Sequence, residues 1–315
     1  MSKASKLALW ILVGGPIAGF SIWAMVDNTR LYFVTLLNGL TLGSLYFIVA
    51  SGFTLVFGLM RNVNLAHGSL YLLGGYVAFS VGERTGWWII GVAAGFAASA
   101  VAGLLMQVLI LRRMQGQDLR QTLVTIGLAI LIADVLLWLY TGQVHQLEAP
   151  EALQGPIRGL PIINAYAAFR LSLLAMGIAI GVGLWLLLNK TRVGMMIRAG
   201  VDDRGMLAAS GVNVNLVFAV TFALGAGLAG MGGAIGAVEL SMVPGEDTRL
   251  LLASLIVVIV GGMGSVVGAA IGAAILGLAE TYGLAYAPTY SVVFTFVILI
   301  LVLAFRPRGI MGRAA

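Results

Sequence analysis

Residues 214–239 read V-N-L-V-F-A-V-T-F-A-L-G-A-G-L-A-G-M-G-G-A-I-G-A-V-E, an apolar run long enough to cross a lipid bilayer as one helix. Its glycines are Gly225, Gly227, Gly230, Gly232, Gly233 and Gly236. In lipid, helices associate by close approach at small residues, because there is little hydrophobic drive between them. The run therefore predicts a membrane helix whose glycine face is buried against other helices.

The composition extends this prediction to the whole chain. Of 315 residues, 60% are hydrophobic and only 10% are charged, with 43 glycines and no cysteine. A soluble domain carries about a quarter of its residues as charges, so most of this surface must face lipid. The net charge of +6 is not gathered on a wet basic face, which argues against nucleic-acid binding. Without cysteine, a disulfide framework and thiolate chemistry are excluded.

Apolar runs of membrane-spanning length recur along the chain. We predict an all-α polytopic transmembrane helix bundle of about eight spans plus a re-entrant or broken-helix hairpin, forming a single domain over residues 1–315. The predicted spans are 7–26, 32–60, 64–82, 87–111, 121–140, 170–189, 214–239 and 289–305, and the hairpin is 250–281.

The hairpin prediction rests on Gly261-Gly262-Met263-Gly264-Ser265, where three closely spaced glycines interrupt helical apolar runs. If 250–281 enters and leaves on one side, most basic residues between spans fall on the side of the amino terminus, as the positive-inside rule requires of the cytoplasmic side. If it crosses once, they divide almost evenly. Both termini are therefore expected in the cytoplasm.

Irregular backbone inside a membrane persists only where protein or a watery cavity satisfies it. Gly262 and Gly264 are therefore candidates for a translocation path. A second interruption, residues 61–68, adds Asn64 and His67, although a histidine at such a break more often satisfies free backbone groups than binds a ligand. Two interrupted segments in corresponding halves of a chain are typical of a substrate path.

Polar side chains within the spans are further candidates, since charges in hydrocarbon are costly. Asp134 lies well within 121–140, where a structural hydrogen bond to a neighbouring helix is the main alternative to a role in the path. Asn38 shares a helical face with Thr41 and could also line the path or bond across helices. Glu239 and Glu280 lie near the outer ends of their spans. No catalytic constellation and no cluster of metal ligands is found in the sequence, so we predict neither an enzyme nor a metal site.

Two connections stand out between the spans. Residues 141–169 contain three prolines and predict an external loop that could meet an extracytoplasmic partner. Residues 190–211, K-T-R-V-G-M-M-I-R-A-G-V-D-D-R-G-M-L-A-A-S-G, predict a surface helix at about 195–210 that ends near Gly211. This helix is too short and too charged to cross the membrane, and by periodicity alone it could be an ordinary interfacial connector.

Several motifs in one order resemble a known family. They are Leu37-Asn38-Gly39-Leu40 with Gly43 and Tyr46, Gly58-Leu59-Met60, Asn64-Leu65-Ala66-His67-Gly68, Arg198-Ala199 through Ala208 to Gly211-Val212-Asn213, and Val260-Gly261-Gly262-Met263-Gly264-Ser265 with Gly268. Together they resemble the permease subunits of branched-chain amino acid ABC transporters, and the amino-terminal pattern is closer to the LivH type than to its LivM-type partner. The resemblance covers most of residues 30–305.

The resemblance implies an importer in the inner membrane of a bacterium, with several other subunits. They are a homologous second permease, two cytoplasmic ABC ATPases and an extracytoplasmic solute-binding protein. The 195–210 segment would then be the coupling helix, and the coupling residues would be Arg198, Ala199, Asp202, Ala208 and Gly211. ATP and Mg would be bound by the ATPases, because this chain has no G-x-x-x-x-G-K-[ST] loop and no cofactor is expected on it.

The substrate implied by the resemblance is Leu, Ile or Val, while related permeases carry urea, amides or other amino acids. A rival from another class remains open: a self-sufficient secondary transporter or channel coupled through Asp134 and Glu280. An integral-membrane enzyme is disfavoured by the lack of a catalytic constellation.

Overall fold

The computed structural model describes residues 15–60 and 63–312 of the chain. Their α-helices are α1 (Gly15–Asp27), α2 (Thr29–Met60), α3 (His67–Thr85), α4 (Trp88–Leu105), α5 (Asp118–Tyr140), α6 (Ala168–Lys190), α7 (Arg192–Asp202), α8 (Arg204–Ala209), α9 (Val214–Glu239), α10 (Glu246–Gly261), α11 (Val266–Tyr286) and α12 (Ser291–Phe305). A π-helical turn (Met106–Ile110) and a 3₁₀ turn (Leu111–Met114) extend α4. The prediction of an all-α polytopic bundle is confirmed.

Six helices of the described part are long and apolar enough to cross a membrane, judged by length and composition. They are Thr29–Gly58, Trp88–Met114, Asp118–Tyr140, Ala168–Lys190, Val214–Glu239 and Val266–Tyr286. Helix α3, predicted as a span at 64–82, does not meet this criterion and is largely buried inside the bundle. The first half of the predicted span 7–26 lies outside the described residues, and α1 covers its second half. Arg61 and Asn62 of the first interruption also lie outside them.

Helix α9 occupies the centre of the bundle and packs against α2, α3 and α4. The glycines of α9 named above are all buried, which confirms the prediction for this run. A β-carbon built on Gly74 of α3 would overlap the backbone of Gly230, and one on Gly95 of α4 would overlap the carbonyl of Gly74. Helices α3, α4 and α9 therefore meet with their backbones in direct contact, a separation that only glycine permits.

The region 250–281 forms two helices, α10 and α11, joined by a turn at residues 262–265. Gly262 and Gly264 adopt left-handed φ angles of 108° and 81°, which explains why glycine stands at this break. The Ser265 hydroxyl then accepts a hydrogen bond from the Gly268 amide at 3.0 Å and caps α11. The predicted break between two helices is confirmed, and of these two α11 alone is long and apolar enough to span a membrane.

Two local predictions need correction. The connection 141–169, predicted as a loop, contains a 3₁₀ turn (Glu151–Leu153) and an antiparallel hairpin of β1 (Pro156–Leu160) and β2 (Asn164–Ala167). Left-handed φ angles occur at Ile162 in its turn, at Asn164 where β2 begins, and at Gly159 where the strand register shifts. The mostly exposed strands lack the apolar alternation that would have predicted them. The single helix predicted at 195–210 is two helices, α7 and α8, because Asp203 adopts an extended conformation between them.

Candidate functional site

Helices α7 and α8 form a connector across one end of the bundle, between α6 and α9. We call residues 190–213 the connector segment, its end of the bundle the inner end, and the opposite end the outer end. Three polar side chains cap the successive helices. Thr191 accepts from the Gly194 amide at 3.1 Å, Asp203 from Met206 at 3.0 Å and Asn213 from Leu216 at 3.2 Å. These caps set each change of chain direction.

The connector segment is fastened to the helices that flank it. A β-carbon on Gly194 would overlap the carbonyl of Leu187 and the backbone of Leu188 on α6, so α7 lies directly on the end of α6. The Arg198 guanidinium donates to Asn189 Oδ1 at 2.6 Å, and the Arg204 guanidinium carbon lies 4.9 Å from the centre of the Phe218 ring on α9. The segment can therefore transmit a displacement to both α6 and α9.

The connector segment has a buried side and an exposed side. Ile197 and Leu207 point into the bundle and are buried. Met195 and Met206 point away, with 53% and 71% of their surface exposed. Of the predicted coupling residues, Ala199, Asp202, Ala208 and Gly211 are exposed, while Arg198 is half-buried against Asn189. Exposed methionines beside charged residues are typical of an adaptable protein-binding surface.

The first interruption shares a buried hydrophobic cluster with the connector segment. Ala66 and Leu70 belong to the same buried cluster as Ile197, Leu207 and Phe222. The turn of residues 63–66 is held to α5 by the Leu65 amide, which donates to Thr125 Oγ1 at 3.2 Å. The connector segment, this turn and α5 therefore belong to one packed region.

Asn64 and His67 are buried at this interruption. Asn64 Oδ1 accepts from the Ala66 amide at 3.1 Å, and His67 Nε2 donates to the Val49 carbonyl at 2.9 Å. Asn64 Nδ2 and His67 Nδ1 are buried without a hydrogen-bond partner in the described part of the chain. Asn64 also lines a small cavity with room for about one water molecule, beside Gln121 and Thr125. Their predicted place in the translocation path stays a prediction.

At the second interruption, Gly262 is covered by the carboxyl-terminal segment of the chain. The Ile310 and Met311 amides donate to the carbonyls of Val260 and Gly261, each at 2.9 Å. A β-carbon on Gly262 would lie 2.5 Å from the Gly312 amide nitrogen. Gly264 is exposed beside Gly58, at the inner end. The glycines therefore make a tight turn under residues 309–312, and their role in a path stays a prediction.

Asn38 belongs to a polar network at the outer end. Its Oδ1 accepts from the Tyr166 hydroxyl at 2.9 Å and from Arg170 Nη1 at 3.1 Å. Arg170 also forms a 2.8 Å ion pair with Glu239. Burial raises the pKa of the Tyr166 hydroxyl, so it stays protonated and donates to Asn38. The network connects α2 to the β-hairpin, α6 and α9.

A second outer network surrounds Arg249 on α10. Its guanidinium lies 2.8 Å from Glu280 Oε1 on α11 and 3.4 Å from Glu246 Oε1. The buried Tyr46 hydroxyl of α2 donates to Glu280 Oε2 at 2.5 Å. Glu280 is therefore bound within the chain and holds α2, α10 and α11 together.

Replacing Arg249 with glutamine is expected to destabilise the protein by about 1–2 kcal/mol, because Glu246 and Glu280 then share a partly buried site without their cation. The apparent melting temperature in detergent should fall by about 2–4 °C or more. Arg84→Gln, at an exposed position near the outer end of α3, is the matched control. An equal shift in both variants would contradict the role assigned to Arg249.

Asp134 differs from the other predicted residues. It is exposed, on the side of α5 opposite the buried Leu136, and makes no hydrogen bond or ion pair with the described part of the chain. The structure therefore separates the predicted path residues into an inner group (Asn64, His67, Gly262 and Gly264), an outer group (Asn38) and a surface residue (Asp134).

The sequence patterns did not identify Arg170, Tyr166 and Arg249 as partners, although their position near span ends was a usable signal. In residues 15–60 and 63–312, no cluster of His, Asp and Glu is placed to hold a metal ion.

Comparison with known proteins agrees with this architecture. Residues 35–303 match the family model described as branched-chain amino acid transport system, permease component. The chain is 30% identical to the high-affinity branched-chain amino acid transport permease BraD of Pseudomonas aeruginosa and 31% identical to LivH of Escherichia coli K12, each over 90% of this chain and 96% of the relative. It is also 28% identical to the ribose import permease RbsC of Escherichia coli K12, over 88% of this chain and 84% of that protein. No solved structure matches. The chain therefore belongs to the family of permease components of branched-chain amino acid transport systems.

Proposed function

We propose that this chain is one of two permease subunits of an ATP-driven importer of branched-chain amino acids, and that separate subunits hydrolyse the ATP. The observation that carries the proposal is the connector segment. It is fastened to α6 and α9, its buried side contacts the core, and its other side exposes Met195 and Met206. A surface of this kind suits docking to a cytoplasmic ATPase that holds ATP and Mg.

The packing supports a route by which ATP-driven movement would reach the path. A displacement of Ile197 and Leu207 would move the turn at 63–66, which carries Asn64 and adjoins His67. The turn is bonded to α5 through Thr125, so α5 would move with it. In this proposal Arg198, Ala199, Asp202, Ala208 and Gly211 form or position the docking surface.

The orientation belongs to the proposal as well. Lys190, Arg192, Arg198, Arg306 and Arg308 lie at the inner end, which the positive-inside rule assigns to the cytoplasm. Both termini would then be cytoplasmic in a bacterial inner membrane. The outer end carries the β-hairpin and the exposed Glu148 and Glu151. An extracytoplasmic binding protein would deliver substrate at this end.

Branched-chain amino acids are favoured as substrate because the more similar relatives carry that name, whereas the ribose permease is the less similar one. Selection of substrate would be made mainly by the binding protein. Uptake of leucine, isoleucine and valine should therefore be compared with uptake of ribose on the assembled transporter, with its binding protein present.

The proposal is tested by reconstituting the chain in proteoliposomes with a homologous permease, two ABC ATPases and a solute-binding protein of the same organism. We expect uptake of radiolabelled leucine, isoleucine or valine that requires ATP and the binding protein, with no uptake of ribose. Omitting this chain is the control and should abolish uptake. Uptake that follows an ion gradient without ATP would instead support a secondary transporter coupled through Asp134 and Glu280.

A further inference from the structure

Helix α5 has one side packed and one side open. Its packed side contacts α3, where Ser69 Oγ donates to the Ala129 carbonyl at 2.9 Å and Leu136 is buried. Its open side carries Leu123, Gly127, Ile130, Leu131, Asp134 and Trp138, all exposed. We call this set the open face of α5.

Asp134 lies at a depth where a bare carboxylate is unfavourable. Residue 129 is the middle of α5, and five residues of helix place Asp134 about 8 Å away along the axis. The hydrocarbon core extends about 15 Å on each side of the bilayer middle. Glu280, equally far from the outer end of α11, is bound by Arg249 and Tyr46. Asp134 has no such neighbour in the described part of the chain.

Gly127 lies on the same face of α5 as Asp134. It lies two helical turns from Asp134, and a β-carbon built on it would have nothing within 4 Å. Glycine lowers helix stability relative to alanine, and in membrane helices it lets a second helix approach closely. Gly183 on α6 has the same open space, so the carboxylate and not the glycine distinguishes α5. The exposed large side chains of α4 and α6, such as Val101 and Ile178, surround no carboxylate.

We propose that the open face of α5 is the surface on which the second permease subunit packs, with a hydrogen-bond donor or cation of that subunit opposite Asp134. The inference rests on the proposed function, since it requires a second permease. The partner is a homologous chain rather than a second copy. Symmetric packing of α5 on itself around this face would bring two Asp134 carboxylates together, and like charges in a dry interface repel.

The first test is site-specific photo-cross-linking in membranes that contain the complete transporter. A benzophenone amino acid is placed at Leu131 on the open face of α5 or at Ile178 on the open face of α6. We expect a product with the combined mass of the two different permeases from position 131 and none from position 178. A product from position 178 alone, only lipid adducts from position 131, or a product of two copies of this chain would overturn the inference.

The second test measures how much of the homologous permease co-purifies with this chain. Asp134→Leu should reduce it about three- to tenfold, as expected for losing an interhelical hydrogen bond in a membrane, whereas Asp134→Asn keeps an acceptor and should retain most of it. Gly127→Leu should also reduce it, while Gly183→Leu on α6, another glycine with open space around it, should not. If Asp134→Leu and Gly127→Leu both recover as much of the homologous permease as the unmodified chain does, the inference is overturned.

The two proposals can fail separately. If the unmodified complex imports its substrate with ATP but position 131 gives no permease product, only the assignment of the open face of α5 is wrong. If the unmodified complex shows no ATP-dependent import, the proposed function is wrong, and the second-subunit surface is rejected with it.

Discussion

Gly74→Leu is expected to abolish the folded protein. A β-carbon at this position would overlap the Cα and carbonyl of Gly230 on α9, and Gly95 of α4 also lies against the Gly74 carbonyl. Overpacking among side chains costs about 1–3 kcal/mol. Here the obstacle is the backbone of α9 and not a side chain, so the cost should exceed about 3 kcal/mol, because α3 and α9 must separate at the centre of the bundle.

The measurement is the yield of monodisperse protein after detergent extraction, followed by size-exclusion chromatography. Gly183→Leu makes the same chemical change on α6 where a β-carbon meets nothing within 4 Å, so it should give normal yield. Both substitutions replace a poor helix former by a good one, which removes helix propensity as an explanation. Comparable yield and thermal stability in the two variants would refute the close contact at Gly74.

The central helix was predictable because its signal is local. Residues 214–239 are apolar, have the length of a span and contain many glycines, and the structure has an α-helix with those bounds. The break at 262–265 was predictable for the same reason, since closely spaced glycines weaken any helix. Both features depend on composition within one short window of sequence.

The corrected features depend on contacts or on single side chains. The connector segment has helical composition throughout, but Asp203 takes an extended conformation and caps α8, which divides the segment in two. The same competition between a side chain and the helix backbone makes aspartate frequent at caps, so the residue was a usable signal. The sequence carries no such signal for the β-hairpin in 156–167, because its strands are short and mostly exposed.

The polar residues show most clearly what the sequence alone cannot predict. Glu280 and Asp134 both lie six residues from the outer end of their helices, yet one is bound by Arg249 and Tyr46 and the other faces away from the chain. Hydropathy places both carboxylates at the same depth. Only the packing of α2, α10 and α11 distinguishes them, and that packing joins residues more than two hundred positions apart in sequence, such as Tyr46 and Glu280.

Met206→Asp is expected to uncouple the transporter, lowering ATP-dependent uptake more than about tenfold without loss of the folded chain. Met206 is 71% exposed and its side chain holds nothing in the core, so the variant should extract and elute like the unmodified protein. Docked on an ATPase, the new carboxylate would be buried without a partner, at a cost of about 1–3 kcal/mol or more. Each 1.4 kcal/mol corresponds to about a tenfold change in binding.

Two controls separate loss of docking from other defects in this variant. Met206→Leu keeps an apolar side chain and should retain uptake, which shows that the contact needs apolar surface there. Met263→Asp places the same charge on another exposed methionine of the inner end, in the turn between α10 and α11, and should also retain uptake. Normal uptake by Met206→Asp, or an equal loss with Met263→Asp, would contradict docking through the connector segment. Loss only with Met206→Asp, together with loss of co-purified ATPase, would assign the contact to the exposed side of α8, whose buried Leu207 carries the movement inward.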